Sequence, residues 1–117
     1  MKKILVVGGT GFIGYHIIKE AVKRKWLITS ISLNKPKKKR FCKNVNYKTA
    51  DLINYKSLKK NLKGHYDYVI NAGGYGNHPD FNSSGIKLFK THYLGLVNLI
   101  KILSKKKIKK FIQIGSS

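Results

Sequence analysis

The stretch GGTGFIG, residues 8–14, is the turn around which the rest of the chain is organised. It follows a short β-rich apolar run, KKILVV at 2–7, and leads into Phe12, Ile13, Ile17, Ile18, Ala21 and Val22, which recur at helical spacing up to about Lys25. A buried parallel strand that stops at glycines, with a helix starting from them, reads as one β-turn-α unit. The glycines satisfy two spacings, Gly9-x-Gly11-x-x-Gly14 and the shorter-turn Gly8-x-x-Gly11-x-x-Gly14. In such a pattern the first glycine permits the tight turn off the strand, and Gly11 lets backbone N–H groups approach a pyrophosphate. Gly14 lets the helix lie close against the sheet. Thr10, Phe12 and Ile13 fill the turn, and the helix N-terminus offers partial positive charge to phosphates. A strand before, a helix after and a second strand within about 30 residues point to dinucleotide binding.

Outward from this turn, strand and helix patterns alternate. WLITSIS (26–32) reads as a second strand, VNYKTADL (45–52) as a third, and NYKSLKKNLKG (54–64) as a short polar helix ending at a glycine. YDYVINAGG (66–74) is a fourth strand running into glycines, followed by a loop marked by Asn77, His78, Pro79 and Asp80. Ile86, Phe89, Tyr93, Val97, Ile100 and Leu103 form a helical stripe within 84–105, and IKKFIQIGSS (108–117) is a fifth strand. This predicts an α/β fold: a doubly wound, Rossmann-like parallel sheet of order 3-2-1-4-5, truncated after the fifth strand. Ligands of such sheets bind above the carboxyl ends, near strands 1 and 4.

The end of the second strand bears on the choice of cofactor. An acidic residue there would bind the ribose 2′-hydroxyl of NAD. Here Ser32, Leu33, Asn34 and Lys35 occupy the position, with Lys37, Lys38, Lys39 and Arg40 just beyond. A small polar residue followed by cations suits a 2′-phosphate, so NADP is favoured over NAD.

At 117 residues the chain is one domain, 1–117, read as incomplete at its C-terminus. Its 25 Lys plus Arg against 4 Asp plus Glu give a net charge of +21. That surplus invites a nucleic-acid reading, but only Arg24 and Arg40 are arginines, and the lysines scatter over the polar faces of amphipathic segments. Base and phosphate recognition favours the arginine fork, so nucleic acid is disfavoured as a partner. Cys42 is the single cysteine, which excludes an internal disulfide, and the four histidines have no metal-type spacing with it. The apolar run at 4–7 is too short for a leader and no segment has membrane-span length, so a cytoplasmic location is expected.

These motifs resemble the extended short-chain dehydrogenase/reductase family, the NAD(P)-dependent epimerases, dehydratases and reductases of nucleotide sugars. The likeness rests on GGTGFIG at 8–14, on Asp51-Leu52 after the third strand and on Asn71-Ala72-Gly73-Gly74 after the fourth. FIQIGSS at 111–117 and HYLGLVNLI at 92–100 carry it further, with His92 replacing the family's usual first Asn of that helix. The resemblance implies that Asp51 contacts the adenine amino group, that Asn71, Ala72 and Gly73 lie beside the cofactor, and that Ser116 is the catalytic Ser/Thr. It also implies a nucleotide-sugar substrate in the complete enzyme and a homodimer through the 84–105 helix.

The family's Tyr-x-x-x-Lys acid/base pair should follow the serine strand, and it does not occur there in these residues. Tyr15…Lys19 and Tyr55…Lys59 match the string, but they lie in the first helix and in the helix after the third strand. Neither position suits work with Ser116. The chain alone is therefore expected to be inactive. Alternatives from other classes are a stand-alone dinucleotide-binding or redox-sensing module and, further off, a basic nucleic-acid-binding protein.

Overall fold

A computed structural model describes residues 1–73 and 86–114. Strands β1 (Lys3–Val7), β2 (Leu27–Ser32), β3 (Val45–Thr49), β4 (Tyr68–Asn71) and β5 (Lys110–Gln113) form one parallel sheet of order β3-β2-β1-β4-β5. Helices α1 (Phe12–Lys23), α2 (Tyr55–Asn61) and α3 (Ile86–Leu103) connect them, with a 3₁₀ turn at Lys38–Arg40. This is the strand order expected from right-handed crossovers.

Side-chain alternation along β1 divides the core in two. Leu5 and Val7 pack with Ile31, Val69, Leu58 and Leu62 of the α2 region, and with Leu99, Ile102 and Leu103 of α3. Ile4 and Val6 pack on the opposite face with Ile28 and with Ile18 and Ala21 of α1. The central strand is thus covered on both faces, which is why it reads as an unbroken apolar run rather than an alternating one. On the outer strand β5 all four residues are exposed, including Phe111 and Ile112. Ser30, on the α1 side of β2, is buried, and its Oγ finds no hydrogen-bond partner among the described residues.

The elements end earlier than their sequence patterns. β3 stops at Thr49 because Ala50 and Asp51 turn into the loop before α2, whose N-cap is Asn54, its side chain accepting from the Ser57 N–H. β4 stops at Asn71, whose own side chain accepts the Gly73 N–H and diverts the backbone. Helix α1 ends at Lys23 in a Schellman arrangement: the Lys25 N–H donates to Val22 O and the Trp26 N–H to Ala21 O. Lys25 occupies the left-handed position, φ 59, where glycine carries no Cβ penalty. Lys25→Gly is expected to raise stability by about 1 kcal/mol, read as a shifted urea midpoint with unchanged slope.

The start of the sheet is tied by Asp67, whose carboxylate accepts the Lys3 backbone N–H at 2.9 Å and pairs with His65 at 3.2 Å. The Lys3 N–H, with help from His65, holds this carboxyl below its usual range. Among the described residues, no helix is long and apolar enough to cross a membrane.

Candidate functional site

The carboxyl ends of the strands are laced together by backbone bonds just past their last residues. Gly8 N–H donates to Ile31 O at 2.8 Å, Ala72 N–H to Val7 O at 2.8 Å, Ala50 N–H to Ser32 O at 3.0 Å, and Ile114 N–H to Asn71 O at 3.0 Å. Above this rim opens a cleft of about 490 Å³, a volume typical of small-molecule sites. Gly8, Thr10, Gly11, Ser32, Asn34, Asp51, Leu52, Asn71, Ala72 and Gly73 all line it. Gly9, Phe12, Ile13, Gly14 and Lys35 do not. Ser116 lies outside the described residues, as does the loop around Asn77 and His78.

Each glycine of the turn answers a different need. Gly8, not Gly9, makes the tight turn: its φ is 81, and a Cβ there would stand 2.6 Å from Gly73 Cα. The Gly8-x-x-Gly11-x-x-Gly14 spacing is therefore the one the backbone uses. Gly9 lies over β2, where a Cβ would run into Ser30 Oγ and Ile18 Cδ1. Gly14 packs on the turn itself, so that a Cβ would run into Gly8 O and stand 2.7 Å from Gly9 Cα. Gly11 differs. A Cβ on it would meet only Gly8 O, at an ordinary 3.5 Å, and its backbone is extended at φ −79, ψ 177. Among the described residues, nothing in the packing demands glycine there. Gly11 is also the N-cap of α1, which carries no side-chain cap and no acidic residue in its first turn. A helix end of this kind leaves N–H groups that could take an anion.

The opposite wall is positioned by contacts within and between loops. Asp51 Oδ1 accepts the Ile53 N–H at 3.1 Å, which shapes the loop, and Leu52 O accepts from Asn98 Nδ2 at 2.8 Å. Gly95 lets α3 approach, since a Cβ on it would stand 2.9 Å from Leu52 Cβ. Gly95 and Asn98 thus hold the Asp51–Leu52 loop from behind, an assignment the helix motif's spacing alone does not disclose. At the base, Asn71 directs Oδ1 to the Gly73 N–H at 3.1 Å and Nδ2 to Gln113 Oε1 at 2.9 Å, which uses both ends of its amide. Gln113, Leu33, His92, Tyr93 and Leu96 also line the cleft. Leu33 directly follows Ser32 at the end of β2, whereas Gln113 of β5 and the α3 residues reach the cleft only through tertiary packing, which their spacing in sequence does not disclose.

Neither Tyr-x-x-x-Lys match lines the cleft. Instead Lys19 Nζ lies 5.3 Å from the Tyr15 ring and Lys59 Nζ 6.0 Å from the Tyr55 ring, pairs that helical i,i+4 spacing brings together. Among the described residues, no group of three His, Cys, Asp or Glu side chains could hold a metal ion.

A parallel sheet of this order, a glycine turn at the first strand and a cleft across the carboxyl ends define a Rossmann-type α/β domain. The sequence model of the NAD dependent epimerase/dehydratase family matches residues 4–117, and the chain belongs to that family. It is 34% identical to phenylcoumaran benzylic ether reductase Pyrc5 of Pyrus communis, over 67% of this chain and 28% of that protein. It is 29% identical to dTDP-D-glucose 4,6-dehydratase of Dictyostelium discoideum, over 99% of this chain and 29% of that protein. The fold matches UDP-glucose 4-epimerase from Bifidobacterium longum, solved in complex with NAD+ and UDP, at a TM-score of 0.85 and 20% identity. That match covers 99% of this chain and 37% of the epimerase. The chain thus spans less than a third of the two curated relatives.

Proposed function

We propose that this chain is the dinucleotide-binding part of a nucleotide-sugar epimerase, dehydratase or reductase, with NADP preferred to NAD. The observation that carries the reading is Gly11, which lines the cleft and is the one glycine of the turn whose Cβ would make no close contact with the described residues, only an ordinary one with Gly8 O. Its lack of a side chain serves something that occupies the cleft. The surrounding residues fit a dinucleotide. The turn and the uncapped N-terminus of α1 would take the pyrophosphate, Ser32 the adenosine ribose, Asp51 the adenine amino group, and Asn71 to Gly73 the nicotinamide side. Bound there, the nicotinamide supplies a hydride acceptor or donor for a sugar carbon.

Of this chain's own groups, the turn binds and orients, and Asn71 is locked between Gln113 and Gly73 so that its amide cannot flip without losing both bonds. In the complete protein Ser116 would hydrogen-bond the reacting hydroxyl, and the acid/base would come from elsewhere. The family's description and the B. longum complex both name NAD. The preference for NADP rests on Ser32 at the ribose position and the cations that follow it. Ile86, Leu94 and Ile100 leave an exposed apolar surface on α3, which supports self-association through that helix.

Isothermal titration of the 117-residue chain tests the reading. One saturable NADPH site per chain, competed by ADP, is expected. Steeply salt-dependent binding of DNA or RNA without nucleotide competition would replace it with the nucleic-acid reading.

A further inference from the structure

Lysines that scatter along the sequence are gathered by the topology. In a parallel sheet every strand starts at the same edge. Each segment that leads into a strand carries lysine here, with Lys2, Lys25, Lys43, Lys63 and Lys106 standing before β1, β2, β3, β4 and β5 in turn. Asp67 is the one carboxylate in these segments, and its two oxygens are engaged by the Lys3 N–H and by His65. Helices α1, α2 and α3 also end at this edge, where lysine complements their C-terminal dipoles; Lys48 Nζ donates to Asn61 O at 2.9 Å. Three helix ends amount to about one and a half negative charges, which leaves the edge strongly positive.

A groove of about 340 Å³ opens on this edge, at the other end of the strands from the cleft. It lies between the starts of β1, β2 and β3 and the loop around Gly64, and Lys3, Thr29, Asn44, Asn46, Lys48 and His65 line it. No carboxylate is among its described lining residues. Among the described residues, the Lys3 ammonium and the side chains of Thr29, Asn44 and Asn46 make no hydrogen bond or ion pair. Lys48 Nζ uses one of its three donors on Asn61 O and keeps two. Lys106 Nζ donates to Gly64 O at 2.8 Å, which fixes a further cation at the rim. Two amides, a hydroxyl and two ammonium groups thus meet in one concavity with no acid of the protein among them.

We propose that this groove is a second binding site, for a soluble small molecule that carries a multiply charged phosphate group. Lysine answers such a group as a point charge with rotatable donors, and the amides and hydroxyl add hydrogen bonds of fixed direction. A concave groove of this volume admits a small phosphate ester rather than a duplex, whose phosphates lie on a convex surface. The inference is independent of the dinucleotide reading, since the groove and the cleft share no lining residue.

Amide NMR of the 117-residue chain, titrated with inorganic tripolyphosphate at physiological salt, tests it. Saturable shifts are expected at Thr29, Asn44, Asn46 and Gly64, with a Kd tighter than about 1 mM. The double variant Lys3→Gln, Lys48→Gln should weaken them by about tenfold or more. Lys37→Gln with Lys38→Gln removes the same charge after β2 and should stay within about threefold. Asn46→Asp places a carboxylate on an exposed lining position and should weaken binding by about tenfold, which supplies the answer if the double lysine variant does not fold.

Shifts confined to the glycine turn at 8–14, or none below about 1 mM, would overturn the proposal. Equal weakening by the two double lysine variants would reduce the site to a diffuse field and overturn it too. Tighter binding of a DNA duplex or of phosphatidylglycerol vesicles at the same amides would make the edge a docking face for a macromolecule or bilayer, which replaces the small ligand.

Discussion

Gly11→Val is expected to leave the protein folded and to abolish dinucleotide binding. The backbone at Gly11 is extended, a conformation valine adopts readily, and the nearest protein atom to an added Cβ is Gly8 O at 3.5 Å. Losing glycine at a helix N-cap costs about 1 kcal/mol or less, so the urea midpoint should move little. The isopropyl group, however, would stand in the cleft where backbone N–H groups must reach phosphate oxygens. Two lost charge-assisted bonds at about 1.5 kcal/mol each already amount to about a hundredfold in affinity. Titration with NADPH, alongside urea denaturation of the same preparation, separates the two effects. Intact binding with unchanged stability would remove Gly11 from the phosphate site.

Gly14→Ala is expected to do the reverse, costing stability first. The added methyl would run into Gly8 O and come within 2.7 Å of Gly9 Cα and 2.8 Å of Gly8 carbonyl carbon. All three are backbone atoms, so no flexible side chain can yield. Alanine within a helix is worth about 1 kcal/mol over glycine. Against that, displacing the turn from β1 should cost about 3 kcal/mol, so the net change is a loss. A lowered urea midpoint for Gly14→Ala beside a near-native one for Gly11→Val would show that one motif contains a packing glycine and a ligand glycine. Equal midpoints would refute that division.

Much of this architecture was legible in the sequence because it depends on local pattern. The unbroken apolar run Ile4–Val7 marked a strand covered on both faces, and the alternation of strand and helix patterns led to the observed order. The ends of β3 and β4 were less legible, since they are set by Asp51 and Asn71 side chains folding onto backbone N–H groups two residues ahead. An apolar or β-prone string does not reveal where a side chain will compete with the ladder. The choice between Gly8 and Gly9 as the turn glycine was open for a related reason. Both spacings satisfy the motif, and they are distinguished by the left-handed backbone at Gly8 and by its contact with Gly73, brought in by the β1–β4 pairing.

The same limit explains the cleft's far wall. Asn98 and Gly95 lie on a helix remote in sequence from Leu52, and their spacing describes a helix face without saying what that face touches. Lys35 was read as a cofactor residue from its nearness to the end of β2, yet it is exposed and does not line the cleft. Arg40, further along the chain, returns to the turn through a 3₁₀ reversal.

The unequal cover of the sheet has a consequence for how the cleft breathes. β1 is paired on both sides and buried on both faces, so its amides open only when the whole domain does. Among the described residues β5 pairs with β4 alone and exposes all four side chains, so within these residues its amides are expected to open at far smaller free energy. The cleft therefore joins a stiff end at the Gly8–Gly11 turn to a more compliant Gln113 end. Asn71, whose amide spans the two, feels every local opening of β5 as the loss of the Gln113 bond.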